Sequence, residues 1–332
     1  MNARVRVVVV GGGTSSEHEV SLASAGAIAA ALDSDRFEVV PLIIRRDGVW
    51  AGPGGRLAGD LAEAVEILER ADVAIPALHG VRGEDGTLAA LLDLVGIPYV
   101  GSGLAAGAAA MSKHATKLLA ASAGIATAPG VLVRHPDDPR LADLGLPLVV
   151  KPDRGGSSHG VHVVRTAHEL APAVTAALAF DGEAMVEAFV VGREIDVAVI
   201  EHPDGRLECL PALEIGVPAG EVFDTDAKYA REPDFRVPAP LDARARDALE
   251  HAALASFRAL GARGLARVDF FLTDDGPVLN ELNTFPGFTA RSQVPRMAAA
   301  VGIDYPELVE LLVRTALARS DAHRVRRRVV AR

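Results

Sequence analysis

Four polar residues in the last third of the chain have the types and spacing that phosphoryl chemistry asks for. The stretch reads Arg267-Val268-Asp269-Phe270-Phe271-Leu272, then Thr273-Asp274-Asp275-Gly276-Pro277, then Val278-Leu279-Asn280-Glu281-Leu282-Asn283, and closes with Thr284-Phe285-Pro286-Gly287. Two apolar runs about a turn-rich loop predict a hairpin. Pro277 has no N–H to give a ladder and is assigned to the loop, which then runs from Thr273 to Pro277, an allowed hairpin length. That register sets Asp269 opposite Glu281 and Arg267 opposite Asn283. Side chains alternate along a strand, so all four share one face. Val268, Phe270, Leu272, Val278, Asn280 and Leu282 take the other face, which suits a core. Two carboxylates and an amide carbonyl are oxygen ligands for a hard cation such as magnesium. An arginine beside them is what a developing negative charge needs. The plain alternative is an edge hairpin with a solvated polar face.

Other stretches bring groups that such chemistry would use. Arg4 to Val10 predicts a buried strand, followed by Gly11-Gly12-Gly13-Thr14-Ser15-Ser16 and an alanine-rich helix to about Leu32. Strand, glycine turn and helix present backbone N–H groups to an anion. A dinucleotide fingerprint is incomplete, because Ser16 stands at its third glycine and no acid closes the strand Phe37 to Ile43. Glu17 sits at the mouth of this turn, where an acid also complements a helix dipole. Asp72 to Leu78 predicts another strand, ending in His79-Gly80-Val81-Arg82-Gly83-Glu84-Asp85-Gly86-Thr87-Leu88. Ligands in open α/β sheets bind at such carboxyl ends, although a lone histidine is more often structural.

Ala105 to Ala123 predicts a helix carrying Lys113 and Lys117. Strand Leu148 to Lys151 leads into Asp153-Arg154-Gly155-Gly156-Ser157-Ser158-His159-Gly160 and then strand Val161 to Val164. A Walker loop needs a helix afterwards, so this strand–loop–strand reads as a flap over phosphates or a long exposed turn. Glu183 to Val190 is a strand with an acid, and Gly192 to Ile200 opens the third segment. Glu214 to Pro240 lacks periodicity and contains Lys228-Tyr229; a loop that long is usually a functional lid. Asp242 to Leu260 is a helix. Ser292-Gln293-Val294-Pro295 precedes a last helix to about Ala318. Arg324 to Arg332 holds five arginines and no acid, and reads as a solvated, disordered tail.

At 332 residues the chain exceeds what one core usually serves, so two or three domains are expected. A composition 49 % hydrophobic and 23 % charged is that of a globular protein. A net charge of −10 argues against non-specific nucleic-acid binding. No apolar run is long enough to span a bilayer. The one cysteine, Cys209, excludes an internal disulfide and fits a reducing compartment, so a cytoplasmic enzyme is expected.

The whole set resembles the D-alanine–D-alanine ligases, ATP-grasp enzymes of bacterial cell-wall synthesis, from about Val7 to about Ala318. His79-Gly80-Val81-Arg82-Gly83-Glu84-Asp85-Gly86 is similar to the family's first signature. Gly264 to Asp269 with Glu281 to Gly287 is similar to its second. Lys151-Pro152 with Gly156-Ser157-Ser158, and Ala227-Lys228-Tyr229, are further matches. The resemblance implies an α/β, three-domain ATP-grasp fold. Residues 1–103 would form an N-terminal α/β domain with an open parallel sheet, and two α+β domains, 104–190 and 191–320, would clamp ATP, with a tail at 321–332. It implies ATP-dependent joining of two D-alanines through an acyl phosphate, for peptidoglycan precursor synthesis, in a homodimer.

By the same resemblance, Asp269, Glu281 and Asn283 would hold two Mg2+ ions, with Mn2+ as a substitute. Lys113 and Lys151 would hold phosphates. Glu187, Ala188 and Val190 would meet adenine and Glu194 the ribose, with Lys228 also at the nucleotide. Glu17 would take the first ammonium, and Ser157 and Tyr229 would link to it to close lid on flap. Arg267 and the Gly287 N–H would stabilise the tetrahedral oxyanion. Lys228, Ser292 and the Gln293 N–H would hold the second carboxylate, with His79 nearby. The chain departs from the family at several points. Gln293 stands where leucine is usual, Ser112 where an acid is usual, and His159 where a small apolar residue is usual. The lid reads Val222-Phe223-Asp224-Thr225-Asp226-Ala227-Lys228-Tyr229, with two aromatic positions changed. Gln293 and the lid border the second-substrate pocket. The alternatives are therefore a ligase with another acceptor, such as D-serine or D-lactate, or a nucleotide-binding regulatory protein without catalysis.

Overall fold

A computed structural model describes residues 4–55, 57–58, 61–157, 159–216 and 234–330. Lys228, Tyr229 and the lid motif lie outside these residues. Three sheets follow one another along the chain. The first uses β1 (Val5–Gly12), α1 (His18–Ala31), β2 (Phe37–Ile44), β3 (Trp50–Ala51), β4 (Leu57–Ala58), α2 (Leu61–Glu69), β5 (Val73–Pro76) and α3 (Thr87–Val95). Its order is β4-β3-β2-β1-β5. β1 lies parallel to both neighbours, whereas β3 and β4 add an antiparallel edge to the expected parallel sheet. Val7 to Val10 are at most 1 % exposed. A strand covered on both faces reads as an unbroken β-branched run, and β1 is that strand. Beyond β5, Tyr99 makes a single parallel bridge to Ala74.

The second sheet is built from β6 (Gly130–Val133), β7 (Leu148–Pro152), β8 (His162–Val164) and β9 (Ala184–Ala188), with α6 (Ala167–Asp181) packed on it. Its order is β6-β9-β7-β8, all antiparallel. Before it, the helix expected from Ala105 to Ala123 is two helices, α4 (Leu104–Met111) and α5 (Lys113–Ser122). Ser112 breaks it: its extended backbone caps α5, and its hydroxyl accepts from the Ala115 N–H at 3.1 Å. Serine competes for backbone groups in this way and favours caps over helix interiors.

The third sheet comprises β10 (Arg193–Glu201), β11 (Leu207–Cys209), β12 (Leu213–Ile215), β13 (Phe235–Arg236), β14 (Leu265–Thr273) and β15 (Gly276–Asn283), with α7 (Ala243–Ala259) against it. β12 and β13 occupy the two ends of the stretch expected to be loop from Glu214 to Pro240. α8 (Gln293–Ala299) and α9 (Tyr305–Val330) complete the chain. α9 corrects the expectation of a disordered tail from 321. Its backbone stays helical to Val330, in a run without glycine or proline to stop it. Among the described residues no helix is long and apolar enough to cross a membrane.

The hairpin β14–β15 pairs Arg267 with Asn283 and Asp269 with Glu281. Past Asp269 the register shifts by one, so Phe270 faces Leu279 and Thr273 faces Gly276. Two expectations are corrected here. The turn is tight, and Pro277 lies inside β15, which is tolerated because β15 is the last strand in the sheet order. Asn280 is the extra residue of a β-bulge, and a bulge re-aims a side chain. It leaves the core face, and its Oδ1 accepts from Lys151 Nζ at 3.0 Å.

The first and third sheets share one apolar cluster, in which Val7, Val9 and Ile75 join Ile200, Leu265 and Phe288. Arg319 of α9 ties the same two units by polar bonds, donating to Glu201 Oε2 at 3.0 Å and to the Tyr99 carbonyl at 3.0 Å. Polar residues projecting from both units are thereby held at fixed separations. Helix α4 also supports the His79–Gly86 loop by close backbone approach. A Cβ on Gly107 would lie 2.6 Å from the Gly86 nitrogen and 2.7 Å from the Glu84 carbonyl oxygen. Gly107→Ala is therefore expected to cost about 1–3 kcal/mol through overpacking. Gly26→Ala, on α1 with nothing near its Cβ, is expected to gain about 0.5–1 kcal/mol from helix propensity. Urea denaturation of both variants against wild type measures each difference.

Candidate active site

One cleft of about 960 Å3 opens between the three sheets. Its walls include Glu17, His79, Lys113, Lys151, Ser157 and Glu187 together with Arg267, Asp269, Glu281, Asn283, Ser292 and Gln293. Ala188, Val190, Glu194 and Gly287 line it too. The residues named from type and spacing and those implied by the resemblance therefore meet in one space, apart from Lys228 and Tyr229, which lie outside the described residues.

The basic end is set by α5 and by the strands β7 and β9. Lys113 and Lys117 are one helical turn apart, so they share a face of α5. Lys151 ends β7. Glu187 on β9 is 3 % exposed and sits between two of them, 2.6 Å from Lys117 Nζ and 2.7 Å from Lys151 Nζ. Burial alone would raise the Glu187 pKa. Lys151 and then Lys117 outweigh it and hold the carboxyl below its ordinary value. Burial lowers the pKa of both Lys113 and Lys117, and nearby acids oppose that shift. The Glu187 carboxylate is thus shared by two lysines, while the residue still lines the cleft together with Ala188 and Val190. It positions Lys151, and the cleft wall beside it is left to the backbone and to apolar neighbours such as Val149 and Val190. Lys117, which the site assignment omitted, was visible four residues after Lys113.

The flap is rooted by Asp153, which is 1 % exposed. Its carboxylate accepts from Ser112 Oγ at 2.7 Å and from the His114 N–H at 2.8 Å. A carboxylate is therefore supplied to the start of α5 from across the chain, while position 112 carries serine. Lys113 Nζ donates to the Gly155 carbonyl at 2.7 Å. Further out, Ser157 has left-handed backbone (φ 52°), and its hydroxyl donates to Glu17 Oε1 at 2.6 Å. A Cβ on Gly156 would lie 3.0 Å from Glu17 Oε2, and one on Gly80 2.8 Å. Two glycines thus let the flap and the His79 loop crowd the same carboxylate.

His79 is 3 % exposed. Its Nδ1 lies 3.0 Å from the Phe285 carbonyl and its Nε2 2.9 Å from Ser24 Oγ. The carbonyl requires Nδ1 to donate, so in the neutral ring Nε2 accepts from the serine. Burial lowers the His79 pKa, with Glu17 pulling the other way. Ser24 Oγ also accepts from the Phe288 N–H at 3.1 Å. His79 therefore joins β5, α1 and the loop after β15 as a neutral hydrogen-bonded link.

The acidic end centres on Arg267. Its Nε and Nη2 donate to the two Asp269 oxygens at 2.7 Å each. Asn283 Nδ2 donates to Asp269 Oδ2 at 3.0 Å. Asp196 on β10 pairs directly with Asp269, and its Oδ2 lies 3.4 Å from Arg267 Nε. Burial first, then Asp269, raises the Asp196 pKa well above the ordinary carboxylate range. Asp269, then Asp196, raise that of Arg267 against the opposing effect of burial. Asp196 was missed in sequence, although it falls two residues after Glu194 on the same face. Ser292 Oγ accepts from the Thr289 N–H at 3.0 Å at the start of α8.

Among the described residues no group of three or more His, Cys, Asp or Glu is placed to hold a metal ion. The Asp269, Glu281 and Asn283 set has two carboxylates and an amide. A carboxylate has about four acceptor positions, so Asp269 has capacity for a cation beside Arg267. The crowding of acids fits a divalent cation as well. Glu84, half-buried in the wall, has its pKa raised to about 8 by burial, then by Glu17, with Glu281 adding to it.

The D-ala D-ala ligase N-terminus family matches residues 6–102, and the D-ala D-ala ligase C-terminus family matches residues 119–314. A D-alanine–D-alanine ligase of Mycolicibacterium gilvum is 45 % identical over 98 % of this chain and 100 % of its own. The crystal structure of a D-alanine–D-alanine ligase from Bacillus anthracis complexed with ATP superposes with a TM-score of 0.81 at 30 % identity, covering 96 % of this chain and 99 % of that one. The VanG D-Ala:D-Ser ligase from Enterococcus faecalis gives a TM-score of 0.81 at 31 % identity, over 95 % of this chain and 100 % of its own.

A raised acid pKa opposes folding as pH rises. The Glu84 contribution is neutral below its unfolded value of 4.5 and becomes a penalty as pH climbs toward about 8. Glu84→Gln keeps an acceptor for the Gly80 N–H, which Glu84 Oε2 now takes at 2.7 Å. The variant is expected to match wild type in stability near pH 4 and to exceed it by about 1–2 kcal/mol near pH 9. Denaturant unfolding at the two pH values reads the difference.

Proposed function

This chain belongs to the D-alanine–D-alanine ligase family, and from that premise we propose that it joins two D-alanines to D-alanyl-D-alanine with conversion of ATP to ADP and phosphate. The observation that carries the reading is the Ser157–Glu17 contact at 2.6 Å. It closes a phosphate flap onto the first unit over a cleft that holds lysines at one end and Arg267 with acids at the other. Such closure excludes water, and an acyl phosphate left wet would hydrolyse.

Carboxylate is a poor electrophile, and transfer of the ATP γ-phosphoryl to the first D-alanine gives it a leaving group. Lys113 and Lys151 hold the phosphates as point charges, and Glu187 with Asn280 orients Lys151. Glu17 holds the first ammonium. The amine of the second D-alanine then attacks the acyl carbon. Charge grows on the acyl oxygen, and Arg267 with the Gly287 N–H takes it up. Loss of one such donor typically costs about 3 kcal/mol. Phosphate leaves as the amide forms. Ser292 and the Gln293 N–H hold the second carboxylate, a role the family resemblance also gives to Lys228. Asp269, Glu281 and Asn283 would hold Mg2+, which when bound neutralises charge on the transferring phosphoryl group. The product serves peptidoglycan precursor synthesis in the cytoplasm, and the protein works as a homodimer.

A second reading, with a different acceptor, is raised by the departure from leucine at Gln293 and favoured by the likeness to a D-Ala:D-Ser ligase. ADP release with ATP, magnesium and a panel of single acids, with dipeptide detection, decides between them. D-alanine-dependent release with D-alanyl-D-alanine formed is the expected result. Release with D-serine or D-lactate preferred moves the function to the second reading. Absence of ADP release with every acid, alongside measurable ATP binding, returns the regulatory protein. Separately, Glu281→Gln is expected to lower ATP turnover at least about 100-fold, since a lost metal ligand costs several kcal/mol. Its thermal unfolding should stay near wild type; turnover within about threefold of wild type would overturn the metal assignment.

A further inference from the structure

Gln293 has a side chain as well as the backbone N–H assigned to the second carboxylate. It stands where leucine is usual in the family, which made it a candidate for reading the acceptor. The structure gives that side chain other partners. Its Oε1 accepts from Arg267 Nη1 at 2.5 Å, and its Nε2 donates to Asp196 Oδ2 at 2.7 Å. The two partners fix the amide orientation, because a flip would set donor against donor and acceptor against acceptor.

Asp196 is 2 % exposed and faces Asp269 across the β10–β14 pairing. Both acids lie against one guanidinium, and Asp269 already holds two of its nitrogens. Asp196 Oδ2 is 3.4 Å from Nε, so a small shift would bring it into full contact. The Gln293 amide stands between the two. It gives Asp196 a donor and takes the remaining face of Arg267 with a neutral acceptor. A leucine could do neither, and would leave a buried carboxylate with Arg267 as its nearest donor.

We propose that Gln293 and Asp196 form a positioning pair that sets the direction and the effective charge of Arg267, and that Gln293 does not select the acceptor. The inference rests on the reading of Arg267 as the oxyanion donor given above. In its absence Asp196 would draw the guanidinium back and neutralise it, and less positive charge would face the growing oxyanion.

The test compares wild type, Gln293→Leu, and the double variant Asp196→Asn with Gln293→Leu, in the full chain with ATP, magnesium and either D-alanine or D-serine as acceptor. Gln293→Leu is expected to lower kcat about 10- to 100-fold. ATP affinity by calorimetry should stay within about twofold, which also shows the fold intact, and the D-alanine to D-serine preference should not change. The double variant is expected to recover most of the lost kcat, because the competing charge has gone. A Gln293→Leu variant with wild-type kcat, or with its preference moved to D-serine, overturns the pair. A double variant as slow as the single one does too, since a purely structural role would give that result. Failure of the functional reading looks different: wild type itself would make no dipeptide from D-alanine, and the same comparison would then be read on whichever acid drives ADP release.

Discussion

One guanidinium among buried carboxylates sets the terms for the rest of the cleft. Arg267 cannot lose its charge in a protein, and burying it unpaired would be prohibitive. Asp269 meets it fork to fork, which fixes its plane as well as its charge. That geometry demands a strand pairing in which positions 267 and 269 share a face, and an apolar reverse side to bury. Val268 and Phe270 supply that reverse side in a core with α7. The bulge after Asp269 then turns Asn280 from the core toward Lys151. The proposed metal ligands, the proposed oxyanion donor and the lysine contact thus come from a single hairpin with a single irregularity.

The cleft is polarised from end to end. Lys113, Lys117 and Lys151 outnumber Glu187 at one side, while Glu17, Glu84, Asp196, Asp269 and Glu281 outnumber Arg267 at the other. A nucleotide phosphate chain with a divalent cation is complementary to this pattern, anion to lysines and cation to acids. Buried charges held this way are costly to assemble, and the shared core between the first and third sheets is what keeps them from relaxing apart. His79 contributes without charge: neutral and bonded at both ring nitrogens, it fixes the loop carrying Phe285 against α1.

Much of this was legible in the sequence, because alternation along β14 and β15 is a local property. Arg267, Asp269, Glu281 and Asn283 could be placed on one face from spacing alone. The same alternation misplaced Asn280, since one inserted residue inverts every position beyond it and leaves no compositional trace. Pro277 was kept out of the strand because nothing in the sequence says which strand is an edge. Glu187 could not be read as a lysine anchor, because its partners lie on α5 and β7 and only tertiary packing brings them together. Lys117 and Asp196 were readable by helical and strand periodicity from neighbours already chosen. Asp196 looked like one acid in an apolar run, and its role became visible only when α8 delivered Gln293 beside it.

The root of the phosphate flap ties two events that could have been independent. Asp153 is locked to the start of α5 by Ser112 and the His114 N–H, and the flap begins beyond it at Gly155. The ammonium of Lys113 holds the Gly155 carbonyl and also faces the cleft where phosphates would lie. A group that binds at both places couples them, and such coupling is reciprocal. Whatever a phosphate does to the flap, the flap does in equal measure to the phosphate. With the lysine in its proposed role, the grip on nucleotide becomes partly a property of loop posture, and the release of ADP a matter of hinge mechanics as much as of contact strength.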